Sequence, residues 1–320
     1  MQETTLSDDI KVLAQNVHGL SEQIKLLHQA SPTSMDDASI LSLLQDKHYA
    51  GYVWGLDRDR AFLRPVTAIT ALPLDLLLGI DEQKKQLYDN SKRFADGYSA
   101  NNALLWGARG TGKSSLVKSV FASLWDASHQ GRIGLVEIMR EDIGSLSQLL
   151  HYLRQIKQRR FFLYCDDLSF EGGDVGYKSL KAVLEGGIEG CPDHVIFYAS
   201  SNRRHLMQRD MIENERQHSI HPAEAVEEKT SLSDRFGLWL GFHNYSQAQY
   251  LSMIDAYIKA YSIPIKAHEW QKSALQWSVA RGVRSGRVAH QFILDLAGQH
   301  KINLDKIKLD TSNLVNENHE

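Results

Sequence analysis

Cysteine is scarce in this chain: Cys165 and Cys191 are the only two in 320 residues, and each lies in an apolar, strand-like setting. Thiols so placed exclude a disulfide framework or a cysteine-based metal site, and point to buried thiols in a reducing cytosol. Long hydrophobic runs are missing as well. The most apolar stretch, residues 68–80, carries Pro73 and Asp75 and falls short of the roughly 20 apolar residues a membrane-spanning helix needs. The opening MQETTLSDDI is acidic and polar, unlike a secretory signal, so no membrane contact and a cytoplasmic location are expected. An excess of positive charge is also absent. Lys+Arg 36 against Asp+Glu 39 gives a net charge of −3 and a pI near 6.5. Such a chain is not built to coat nucleic acid broadly, although a local basic groove stays open. A composition of 42% hydrophobic and 23% charged residues suits a globular protein with one large α/β core and a smaller domain.

Ile10, Leu13, Val17, Leu20, Ile24 and Leu27 alternate spacings of three and four, an a/d seam under three heptads long. The pattern fits parallel pairing with a second copy and fits equally a helix folded against its own protein. SPTSMDD breaks it, and a short helix is expected through ASILSLLQDK. From Tyr52 to Leu78 aromatics, arginines and prolines mix without a period, which reads as an irregular approach to the main domain. Beyond it, short apolar runs (NALLWG, GRIGLVEIM, RFFLYCDD, HVIFYASSN) alternate with helical ones. Strands apolar on both faces and separated by helices predict a parallel sheet sandwiched by helices. After Tyr245 the strands stop, and three helical segments predict a small helical domain. The expected organisation is an N-terminal helical or adaptor region (1–77), an α/β nucleotide-binding domain (78–244), a helical lid (245–304) and a frayed polar tail (305–320).

The chemistry starts at GARGTGKS, residues Gly107, Ala108, Arg109, Gly110, Thr111, Gly112, Lys113 and Ser114, followed by Ser115. This is the G-x-x-x-x-G-K-[ST] pattern between a strand and a helix, the setting that makes it a P-loop. Its glycines let backbone N–H groups curl around phosphate at the positive end of a helix. Lys113 is then expected on the β- and γ-phosphates of ATP and the Ser114 hydroxyl on Mg²⁺. A second acid for the metal comes from RFFLYCDDLSF, an apolar strand ending in Asp166 and Asp167. Asp166 is the expected metal partner, and Asp167 the group that orients or activates the attacking water. YASSN ends the next strand with Asn202, delivered to the same sheet edge as a γ-phosphate sensor.

These residues together resemble the AAA+ ATPases, from about Leu78 to Gly298. The resemblance implies that LLGIDEQKKQL contacts adenine, with Gly79 and Ile80 the positions concerned. It makes ASSN sensor 1 and GVRSGRVAHQF sensor 2, through Arg287 at the start of a lid helix or, in competition, Arg284. NALLWGARGTGKSSLVK, CDDLSFE, SSNRRHL and SLSDRFGLWLGF are similar, more narrowly, to a group of bacterial P-loop ATPases defined as a domain of unknown function and related to replication initiators and helicase loaders. In the initiators the arginine of the R-F-G step reaches the ATP of a neighbouring subunit, which assigns that finger role to Arg235 and implies a homo-oligomer. Two features depart from the pattern. Asp167 stands where the catalytic acid is usually glutamate, leaving Glu171 and Glu185 as alternatives. No extra helix before the second acidic motif and no helix-turn-helix is apparent.

What the resemblance implies is an AAA+ ATPase that uses Mg-ATP to switch or remodel a protein assembly. The alternatives are a nucleic-acid loader or repair ATPase, and an ATP-gated scaffold with little hydrolysis. The nucleic-acid reading rests on the basic clusters at 157–160 and 202–209, which solvated surface explains equally well. The long polar stretch between sensor 1 and Arg235 is a client contact or a surface insertion. Its His218 and His221 lack a third ligand at metal spacing and read as loop residues.

Overall fold

The computed structural model describes residues 35–170, 174–186, 190–204, 206 and 232–304. The heptad seam, Glu171, His218 and His221 fall outside these. Eight α-helices are labelled here among the described residues: α1 (Asp37–Gln45), α2 (Asp81–Ala95), α3 (Lys113–Leu124), α4 (Leu146–Leu153), α5 (Val175–Glu185), α6 (Gln247–Ala260), α7 (Ala267–Ala280) and α8 (Gly286–Gln299). The strands are β1 (Gly51–Asp57), β2 (Arg60–Val66), β3 (Ala103–Gly107), β4 (Ile133–Ile138), β5 (Arg160–Cys165), β6 (Val195–Ser201) and β7 (Leu238–Phe242).

The strands form one seven-stranded sheet in the order β2-β1-β4-β5-β6-β3-β7. Every neighbouring pair is parallel except β1 with β2. Central strands buried on both faces explain the unbroken apolar runs in the sequence. In β5, Phe162 and Tyr164 join the core cluster on one side of the sheet, while Phe161, Leu163 and Cys165 join the other. The first side is covered by α2, α3 and the C-terminal helices, and the second by α1, α4 and α5. Because side chains alternate along a strand, Asp166 emerges on the side of Tyr164, facing α3.

The segment expected to be irregular from Tyr52 to Leu78 is regular as far as Val66, and beyond it holds only one short 3-10 turn, Leu74–Leu76. It makes the β1–β2 hairpin, whose seven-residue antiparallel register sets Gly51 against Val66 and Asp57 against Arg60, and β1 extends the parallel sheet by pairing with β4. Two features hide it in the sequence. The turn residues Arg58 and Asp59 both have positive φ (47° and 66°), a geometry normally signalled by Asn-Gly. Pro65 lies in β2, at the end of the sheet, where proline costs no ladder bond.

Helix ends follow local chemistry. Gly97 ends α2 with φ 99°, as Tyr98 N–H bonds back to Arg93 C=O at 2.9 Å. Ser246 and Gln249 form a capping box at the start of α6. Arg159 is almost wholly buried; it donates to the Ile133 and Asp46 carbonyls (2.8 and 2.9 Å) and to the Tyr52 hydroxyl (2.7 Å). Its neighbour Arg160 lies over the Phe94 ring, 4.8 Å from the centroid, and reaches the Gly97 carbonyl. Of the three basic residues in 157–160, Arg159 is thereby committed inside the protein and Arg160 is partly buried.

Candidate functional site

The site grows from the carboxyl ends of β3, β5 and β6. At the end of β3 the chain must turn beneath β7, and only glycine fits there. Gly107 has φ 135°, and a Cβ on it would sit 1.9 Å from the Phe242 carbonyl oxygen. That carbonyl accepts the Ala108 N–H at 3.2 Å. Gly110 and Gly112 also take positive φ (74° and 93°), and Gly112 leads into α3. The loop is pinned from inside, because the buried Thr111 hydroxyl donates to the Ala108 carbonyl at 2.7 Å.

Lys113 curls back over this loop. Its ammonium donates to the carbonyls of Gly107 and Ala108 (2.9 and 2.7 Å) and to Asn202 Oδ1 (3.2 Å). Burial lowers the lysine pKa, while the charges of Asp166 and Asp167 act in the opposite sense. Asn202 Nδ2 in turn donates to Asp167 Oδ1, so Lys113, Asn202 and Asp167 form one continuous chain. Asp167 holds a left-handed backbone, φ 52°, uncommon outside glycine. Its N–H bonds Asp166 Oδ1 (3.1 Å) and Ser200 Oγ (3.0 Å).

Asp166 is the acceptor hub. Burial pushes its carboxyl up, but the bonds donated by Ser200, Ser114, Tyr164 and the Asp167 N–H outweigh that and hold it below the usual carboxylate value. The Ser114 hydroxyl donates to it at 2.7 Å, which leaves the Ser114 lone pairs for a cation. Among the described residues no cluster of three or more His, Cys, Asp or Glu could hold a metal ion. A hydroxyl beside one ionised carboxylate nevertheless fits Mg²⁺, which binds through one or two protein oxygens plus substrate phosphates.

These groups line a cavity of about 770 Å³. Arg109, Lys113, Ser114, Asp166, Asp167, Asn202 and Arg287 supply its polar lining, and Leu72, Leu76, Leu77, Ile80, Met253 and Tyr257 its apolar lining. Gly110, Gly112 and Ser115 also line it. Gly79 lies just outside, with φ 72° and its Cβ position 3.1 Å from the Tyr245 ring. Arg287, in the first turn of α8, faces the P-loop: its N–H is 3.4 Å from the Gly110 carbonyl. Arg284 does not line the cavity.

Arg235 also lies away from its own chain's cavity. It precedes β7, is about half exposed, and contacts Glu185 at the end of α5 across 3.2 Å. Glu185 is therefore engaged with Arg235 rather than with the cavity. Several participants escape the motif reading. Tyr164 and Ser200 bond Asp166, and their only sequence signal is parity, two residues before Asp166 and Asn202. Tyr245 donates to the Thr111 carbonyl at 2.7 Å, and His290 lines the cavity one turn after Arg287; no motif marks either residue.

Sheet order, P-loop and helical lid together define the AAA+ class of P-loop ATPase fold. Within that class, the chain belongs to the family described as Protein of unknown function (DUF815), whose model matches residues 47–300. No curated protein matches the sequence. Among solved structures, the chain is similar to the Thermotoga maritima RuvB Holliday junction branch migration motor, at 14% identity over 77% of this chain and 90% of that one, with a TM-score of 0.40. It is also similar to the Aeropyrum pernix Orc1 protein in complex with DNA, at 14% identity over 77% and 68% of the two chains and a TM-score of 0.46. No helix among the described residues is long and apolar enough to cross a membrane.

Proposed function

We propose that this protein binds Mg-ATP in the cavity above the P-loop, hydrolyses it, and uses the cycle to switch or remodel an assembly of protein subunits. The observation that carries this reading is the unbroken contact chain Lys113–Asn202–Asp167 beside the Ser114–Asp166 pair, in a cavity lined by both polar and apolar residues. The apolar lining suits a purine and the glycine-built loop suits the triphosphate. In this reading Asp167 and Asn202 hold a water for in-line attack on the γ-phosphorus, and Lys113 and Arg287 counter charge on the transferring group. Ser114 and Asp166 would hold a magnesium ion, which would supply neutralisation of phosphate charge.

Arg235 completes the proposal by acting in trans. It cannot serve the cavity of its own chain from its present place, yet it is half exposed just before β7. A second copy docked head to tail would bring one chain's Arg235 to the other's nucleotide, and such a contact builds a ring or a helix. Internal engagement of Arg159 and Arg160 weighs against a nucleic-acid surface at that cluster.

The direct test is phosphate release from Mg-ATP by the purified protein and by Lys113→Ala. The expected result is turnover that the variant loses by at least about a hundredfold, as an electrostatic group at a transferring phosphate commands, while its melting temperature stays close to that of the parent. Turnover unchanged in Lys113→Ala, or none in the parent, would overturn the hydrolytic reading.

A further inference from the structure

One oxygen of Asp166 collects an unusual number of donors. Oδ1 accepts from Ser114 Oγ on α3 (2.7 Å), from Tyr164 OH on β5 (2.8 Å), from Ser200 Oγ on β6, and from the Asp167 N–H (3.1 Å). Only Ser114 is accounted for by the proposed metal site. Tyr164 and Ser200 are both essentially inaccessible to solvent, and a buried hydroxyl must find an acceptor. Here both hydroxyls are directed to the same carboxylate oxygen. Ser200 also accepts the Asp167 N–H at 3.0 Å, so its hydroxyl joins the two acids into a single unit.

A carboxylate with one oxygen loaded in this way is fixed in rotation. Its orientation relative to Ser114 then no longer depends on a bound cation, so the ordering cost is met in folding rather than in binding. Groups standing behind a metal ligand typically change metal affinity by about 10- to 100-fold when removed. Tyr164 is walled off beneath Asp166, and Ser200, although it borders the cavity, has its hydroxyl engaged with Asp166 Oδ1 and the Asp167 N–H.

We infer that Tyr164 and Ser200 are positioning residues for the divalent cation: they clamp Asp166 Oδ1 and so preorganise the Asp166–Ser114 pair as a magnesium-binding oxygen set. This rests on the reading of Ser114 and Asp166 as the metal pair. A role confined to packing would act on nucleotide affinity and stability alike, whereas a clamp acts on the metal dependence alone.

The test measures affinity for a fluorescent, non-hydrolysable ATP analogue with EDTA and across a Mg²⁺ titration, for the parent, Tyr164→Phe and Ser200→Ala. The metal-free affinity of both variants is expected within about twofold of the parent. The Mg²⁺ concentration giving half of the metal-dependent tightening is expected to rise about tenfold in each. Ser200→Ala carries the test should Tyr164→Phe prove unstable. Half-saturating Mg²⁺ unchanged in Ser200→Ala, or a loss confined to metal-free affinity, overturns the inference. A parent protein whose analogue binding ignores Mg²⁺ removes the metal-pair reading itself, which is a distinct failure.

Discussion

The guanidinium of Arg235 and the carboxylate of Glu185 meet across 3.2 Å, joining the entry to β7 to the end of α5, and both side chains keep substantial exposure. Pairs of this kind contribute about 0–1 kcal/mol, so the contact orients Arg235 without committing it. Glu185→Gln is expected to shift the melting temperature by no more than a few degrees and to keep or raise ATP turnover, because Arg235 is released for a neighbour. Calorimetry and a phosphate-release assay over a range of protein concentrations check this. A loss as deep as that of Lys113→Ala would return Glu185 to the status of a catalytic acid.

His290 gives the fold a pH signature. Burial lowers its pKa from the ordinary 6.5, and its ring meets Tyr257 edge-on at 5.7 Å inside the cavity wall. The folded state therefore favours neutral imidazole, and the unfolded chain binds the proton more readily between the two pKa values. Stability rises with pH through that window and is lost as pH falls below about 6.5. In paired melts from about pH 7.5 down to about pH 5.5, the parent should lose more melting temperature than His290→Gln. Parallel curves would show that His290 carries no such linkage.

Much of this architecture is legible in the sequence because its signals are local. The P-loop needs glycine at Gly107, where the Phe242 carbonyl leaves no room for a Cβ, and the buried strands β3 to β6 announce themselves as apolar runs, with β5 and β6 leading into the polar Asp166 and Asn202. The β1–β2 hairpin is illegible for the converse reason. β1 is buried along most of its length, so it shows no alternation, and its turn uses Arg58 and Asp59 in place of glycine or asparagine. Around the site, the motifs locate Lys113, Ser114, Asp166 and Asn202. They cannot locate Tyr245, whose hydroxyl reaches Thr111 from 134 residues away, nor tell that Arg287 rather than Arg284 lines the cavity. Those facts belong to packing between the lid and the sheet.

Whether one chain's Arg235 serves another chain's nucleotide is read out by complementation between two inactive variants. Arg235→Ala and Lys113→Ala are each expected to bind or position what the other lacks and to hydrolyse little ATP alone. In an equimolar mixture, random head-to-tail pairing sets an intact P-loop against an intact Arg235 at about a quarter of interfaces. Turnover approaching about a quarter of the parent rate is the predicted result. A mixture no more active than the sum of its components, with Arg235→Ala alone at the parent rate, would contradict it.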